Sequence, residues 1–159
     1  MKKVALALAL LASVAVAQEK GLKQGFRDLK WKDPIPEGMT KLIGDEVSAS
    51  YARESDKLTI GDVPLTKLTY GFFGNQFSSV HVATENGTGL LRILTENWGK
   101  PIQPNEFIQS YLWSKGDTLA GYELNEITGV GRLTIFSKSL HEAMEKAKNE
   151  KAAKAKDDM

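Results

Sequence analysis

The sequence predicts an α+β domain: an antiparallel sheet of about five to seven strands, one amphipathic helix over about 88–98 packed on one face, and a C-terminal helix. Three observations carry this. Short runs rich in β-branched and aromatic residues recur between 47 and 138, punctuated by glycine, asparagine and aspartate turns. One stretch alone, 88–98, changes to helical spacing. The connections between strands are too short for a parallel crossover, so neighbours pair antiparallel.

In chain order, 18–25 is polar and glycine-spaced, a flexible lead-in, and Phe26, Leu29 and Trp31 open the structured part as a short extended segment. Pro34 and Pro36 fix φ and disfavour helix in the residues before them, so 33–38 punctuates. A short helical or turn segment is expected over 39–43, ended by Gly44. Strands follow over 47–52 and 57–60, with Gly61-Asp62 as a turn. The clearest hairpin joins 65–73 to 77–83 through Gly74-Asn75, whose residues tolerate positive φ. In its second arm Val80 and Val82 share one face, and Phe77, Ser79 and His81 the other.

Leu90, Leu91, Ile93, Leu94 and Trp98 form one apolar helical stripe, capped by Asn86 or Thr88 and ended by Gly99 and Pro101. Three more strands are expected over 106–114, 118–127 and 132–138, turning at 115–117 and 128–131. Ser139 is the expected cap of a terminal helix in which Leu140, Met144 and Ala147 give a thin apolar stripe, fraying toward the end of 139–159. The two strand blocks, each followed by a helix, share no residue-level repeat.

The N-terminus reads as an export signal. Lys2 and Lys3 precede the apolar run 4–12, and Ala15-Val16-Ala17 offers small residues at a cleavage point between Ala17 and Gln18. The run is too short for a permanent span, which takes about 20 residues. The expected organisation is therefore a signal over 1–17, one domain over 18–138 and the helical tail over 139–159, placed in the periplasm or secreted. Without Lys2 and Lys3, 19 of the 21 basic residues face 20 acidic ones. That balance argues against nucleic acid, whose binding draws on clustered positive charge. With no cysteine in the chain, disulfides, thiol nucleophiles, a lipidated cysteine and thiolate metal sites are excluded.

Few residues point to chemistry. His81 and His141 lack a ligand at metal spacing, so no metal or cofactor is expected. Ser79 lies two residues from His81 on the same strand face, but no Gly-x-Ser-x-Gly elbow supports a nucleophile. Glu123 and Glu126 lie near one turn, where carboxylates are ordinarily solvated. No catalytic residue is assigned. The suggestive feature is Phe107, Tyr111 and Trp113, expected on one face of their strand with Ile108 and Leu112 on the other. Strands apolar on both sides are buried on both sides or carry a binding patch, so these three are the candidate binding residues.

Gly25-Phe26-Arg27-Asp28-Leu29-Lys30-Trp31, Leu68-Thr69-Tyr70-Gly71-Phe72-Phe73, Trp98-Gly99-Lys100-Pro101 and the stretch from Asn125-Glu126-Ile127 to Phe136-Ser137-Lys138 resemble an uncharacterised family of small bacterial exported proteins. Lys32 stands where the opening motif typically has glycine. The resemblance implies an α+β domain and carries no active-site residues. The leading expectation is a non-catalytic periplasmic binding or accessory protein, whose partner is an envelope protein or a small ligand. The alternatives are a small hydrolase using carboxylates or a Ser–His pair, and a structural envelope protein docking through its C-terminal helix.

Overall fold

Period-two alternation of side chains builds this molecule around one sheet. The computed structural model describes residues 21–157, so the expected signal and its cleavage point lie outside the described residues. Seven strands pair antiparallel throughout: β3 (Met39–Gly44), β4 (Ser48–Arg53), β7 (Lys67–Phe73), β8 (Gln76–Thr84), β9 (Ser110–Lys115), β10 (Thr118–Leu124) and β11 (Gly131–Ser137). Their spatial order is β3-β4-β7-β8-β11-β10-β9, so β8 and β11 meet at the centre. Two small hairpins stand apart, β1 (Gly25–Phe26) with β2 (Leu29–Lys30), and β5 (Thr59–Ile60) with β6 (Val63–Pro64). The helices are α1 (Gly87–Trp98) and α2 (Lys138–Asp157).

One face of the sheet is a continuous core. Leu68, Tyr70 and Phe72 of β7, Phe77, Val80 and Val82 of β8, Ala120 and Tyr122 of β10, and Leu133 and Ile135 of β11 are all buried. A register shift between Gly71 and Phe72 turns Phe77 onto the Val80 face, not the Ser79 face the alternation predicts. Leu90 and Leu94 of α1 belong to the same cluster, as do Leu22, Leu29, Val63 and Leu65 from the connecting segments. Aromatic contacts knit it: Trp31 stacks on Phe77 at 4.9 Å, and Phe26 meets Tyr70 edge-on at 6.2 Å. The intervening residues Ser79, Ala83, Leu119, Gly121 and Thr134 are only half-buried, and His81, Glu123 and Arg132 are exposed.

A close backbone approach near the centre depends on glycine. The buried Tyr122 hydroxyl donates to the Gly87 carbonyl at 2.6 Å, and a Cβ on Gly131 would collide with that hydroxyl. Asn86 caps α1 by accepting from the Gly89 amide at 3.1 Å, and Gly99 ends it with φ +87°.

Four further local expectations are corrected. Residues 39–44 form strand β3, not a helical segment. Gly38 and Gly44 both take positive φ, and Asp45 closes the β3–β4 hairpin by accepting from the Val47 and Ser48 amides at 2.9 Å. Long-range pairing overrides the weak local preference here. The 57–60 run shortens to β5 and pairs with β6 outside the main sheet. The strand expected over 106–114 begins only at Ser110, because Asn105 Oδ1 takes the Phe107 amide in a turn instead. Finally, α2 starts at Lys138, two residues before the Leu140 start that a Ser139 cap implies. Ser137 Oγ accepts from the Leu140 amide at 3.2 Å, while Asp117, from the β9–β10 turn, accepts from the Ser139 amide and hydroxyl, both at 2.9 Å.

That carboxylate at a helix N-terminus is electrostatically favourable. Burial pushes the Asp117 carboxyl up, but hydrogen bonds from Ser137 and Ser139 outweigh it and hold the group below the ordinary aspartate value. Leu140 is buried, and Met144 and Ala147 are half-buried, which is the thin stripe the sequence indicates. Phe136 of β11 meets His141 at 4.8 Å between ring centroids, and Ser48 reaches the Met144 sulfur at 3.8 Å. These contacts set the first turns of α2 against residues of the half-open face.

Candidate binding groove and open sheet face

Two turns of the same construction contribute to one concavity. In the 102–109 loop, Asn105 Oδ1 accepts from the Phe107 amide at 3.0 Å. In the β10–β11 loop, Asn125 Oδ1 accepts from the amides of Ile127 and Thr128, both at 3.0 Å. Each is a side-chain-mimicked turn of the kind asparagine favours. Each is also written in the sequence as Asn-Glu-apolar, at 105–107 and 125–127. The result is that Phe107 and Ile127 stand in solvent, 87% and 96% exposed. Large apolar side chains so fully presented on two adjacent turns cost nothing to the core, which makes them available to a partner.

Between these turns lies a cavity of about 440 Å³. Its polar lining comes from Asn105, Gln109, Ser110, Glu123, Asn125 and Arg132. The strands hold the floor, since Glu123 and Arg132 are directly opposed across the β10–β11 ladder and Ser110 lies opposite Glu123 on β9. The Leu124 amide donates to the Gln109 carbonyl at 2.9 Å, tying the first wall to the floor. Among the described residues, neither Glu123 nor Arg132 has an ion-pair partner within 4.0 Å.

Of the three candidate binding residues, two share an environment and one does not. Trp113 is 5% exposed; its indole donates to the Gly99 carbonyl at 2.9 Å and its ring meets Trp98 edge-on at 5.5 Å. Tyr111 is half-buried on the same face of β9, with its hydroxyl on Gln109. Phe107 precedes the strand and points away into solvent. Thus Trp113 and Tyr111 belong to the packing that supports the groove wall, and Phe107 belongs to the wall's outer surface. Ile127 was not distinguished by the alternation pattern. The repeated Asn-Glu-apolar triad is the signal that marks both.

The potential catalytic groups do not assemble. His81 Nδ1 lies 3.3 Å from Thr134 Oγ1, whereas Ser79 sits over Gly71, whose missing side chain leaves the space for its hydroxyl. Although His81 is exposed overall, desolvation of its ring against the sheet and the Lys67 charge both push the imidazole below the ordinary histidine range. Glu123 lines the groove and Glu126 lies in the adjoining turn outside it. Among the described residues no group of three or more histidines and carboxylates is placed to hold a metal, and no helix is long and apolar enough to cross a membrane.

A second charged cluster is structural. Arg27 pairs with Asp56 at 3.0 Å, Asp56 accepts from the Tyr70 hydroxyl at 2.6 Å, and Arg53 pairs with Asp28 at 3.0 Å while lying over the Tyr70 ring. Burial, then the Asp56 hydrogen bond, raises the Tyr70 phenol well above its ordinary value. The cluster ties the β1–β2 hairpin and the 53–59 segment to β7. The Gly-Phe-Arg-Asp and Leu-Thr-Tyr motifs of the sequence meet at this point. Set against known proteins, the chain matches no family model, no curated protein and no solved structure.

Proposed function

We propose that this is a non-catalytic binding or accessory protein of the bacterial cell envelope, and that it engages its partner at the groove between the 102–109 and 124–130 turns. In this reading the leader over 1–17 delivers the chain to the periplasm. The helix α1, with residues 22–35 and 58–65, closes one face of the sheet. The groove end is then the part free to bind.

The observation that carries the proposal is the pair of like-built turns that contribute Asn105 and Asn125 to a polar-floored cavity and expose Phe107 and Ile127 beside it. Binding surfaces often combine apolar anchors with a few placed polar groups. Here Glu123, Arg132 and Asn125 supply the polar groups, on strands and a braced turn that do not have to reorganise. The hydrolase alternative lacks the contact it requires, because His81 faces Thr134 and no hydrogen bond joins it to Ser79.

Native mass spectrometry of the protein purified from envelope extract tests this. The expected result is a bound species carried by the wild type and lost from a Phe107→Ala, Ile127→Ala double variant that folds normally. Retention of the same species by the variant overturns the assignment of the groove.

A further inference from the structure

We infer that the half-open face of the sheet carries a second binding feature, an anion subsite for a phosphoryl group, seated over Ala83 between Lys67 and Arg132. The register places these residues in one row: Lys67 is opposite Ala83 on the β7–β8 ladder, and Ala83 is opposite Arg132 on the β8–β11 ladder. In the next row Thr69, His81 and Thr134 lie side by side. Directly opposed side chains in a sheet start about 5 Å apart, so Lys67 and Arg132 flank a small residue at roughly 10 Å, within reach of one oxyanion between them. Ala83 leaves the room that a larger side chain would fill.

On the three central strands the charged residues of this face carry one sign, and the row continues from Arg132 to Glu123 on β10. On this face β7 carries Lys67, Thr69, Gly71 and Phe73, β8 carries Ser79, His81 and Ala83, and β11 carries Arg132, Thr134 and Phe136. None is acidic. Glu123 on β10 is directly opposite Arg132 and Glu85 lies just beyond β8, and neither carboxylate comes within 4.0 Å of the Lys67 or Arg132 nitrogens. From α2, His141 and Met144 contact Phe136 and Ser48, at the other end of the strands from the Lys67–Arg132 row. Two permanent cations and a histidine with hydroxyl neighbours match the donors a phosphoryl group takes: a guanidinium fork, an ammonium point charge and neutral O–H groups. The Lys67 charge already disfavours protonation of His81. A bound anion reverses that sign.

The chain has only two histidines, and His141 serves as an internal control. Ring NMR titrations with and without saturating inorganic phosphate are expected to raise the His81 pKa by about one unit and leave His141 unmoved. Lys67→Ala and Arg132→Ala should each weaken phosphate binding about tenfold. Phe107→Ala with Ile127→Ala should leave it unchanged, which separates the anion from a partner anchored at those two turns, Arg132 being common to both sites. An unchanged His81, or equal shifts at both histidines, overturns the proposal. Co-sedimentation with phosphatidylcholine vesicles, with and without phosphatidic acid, identifies the source. Sedimentation that requires both the phosphatidic acid and the two cations assigns a lipid headgroup. A His81 shift without such sedimentation assigns a soluble phosphate.

Discussion

The two faces of the sheet are made by alternate residues of the same strands, and they are built to opposite ends. One presents Tyr70, Phe77, Tyr122, Leu133 and Ile135, all at most 2% exposed. The other presents the small or polar Ser79, His81, Ala83, Gly121 and Thr134, with half-buried Phe73, Leu119 and Phe136 toward α2 and Lys67, Glu123 and Arg132 toward the groove end. Burial of large apolar side chains is the dominant favourable term in folding, so the first face holds the fold and the second contributes little to it. That division leaves the second face and the groove free to vary in chemistry without loss of stability.

Substitutions on the two faces should therefore differ in kind. Phe77→Ala, in the middle of the aromatic cluster, is expected to cost about 3–5 kcal/mol in denaturant unfolding. A cost under about 1 kcal/mol would break the comparison. Tyr122→Phe removes only a hydroxyl but leaves the Gly87 carbonyl buried without its donor, an expected loss of about 1–3 kcal/mol. Asp117→Ala removes the acceptor that organises the start of α2 and should cost about 0.5–2 kcal/mol, the range of a lost helix cap.

Asp117 also sets a pH dependence. Its carboxyl is held below the ordinary value of 3.8 in the folded chain. Its contribution is therefore fully present above that value and is lost as pH falls through the lowered folded value. Acid titrations of stability should show this component in the wild type and lack it in Asp117→Ala. At the bottom of the scale, Phe107→Ala and Ile127→Ala should each change stability by no more than about 0.5 kcal/mol. A larger loss at either would mean that the groove walls are part of the core.

Much of the fold is legible in the sequence because its strongest signals are local. The 76–84 alternation, the helical spacing of Leu90 and Leu94, and the glycine-bearing turns each identify an element without reference to the rest. What was not legible depends on distant partners. Met39–Gly44 is a strand only because β4 pairs with it, and the cap of α2 comes from Asp117, twenty residues upstream of Ser137. The placement of Phe107 failed for a different reason. Alternation predicts one strand over 106–114, while Asn105 diverts the chain into a turn. The same asparagine chemistry at 125 exposes Ile127, so the two residues that frame the groove were hidden by one mechanism and share one motif.

Site-directed photo-crosslinking in intact envelopes tests the central claim most directly, with a photoreactive residue placed in turn at Phe107, Ile127 and Leu58. Leu58 is itself 52% exposed but belongs to the segment between β4 and β5, away from the groove. The account predicts the same discrete adduct from positions 107 and 127 and none from 58. An adduct from 58 alone, or identical products from all three positions, would contradict it.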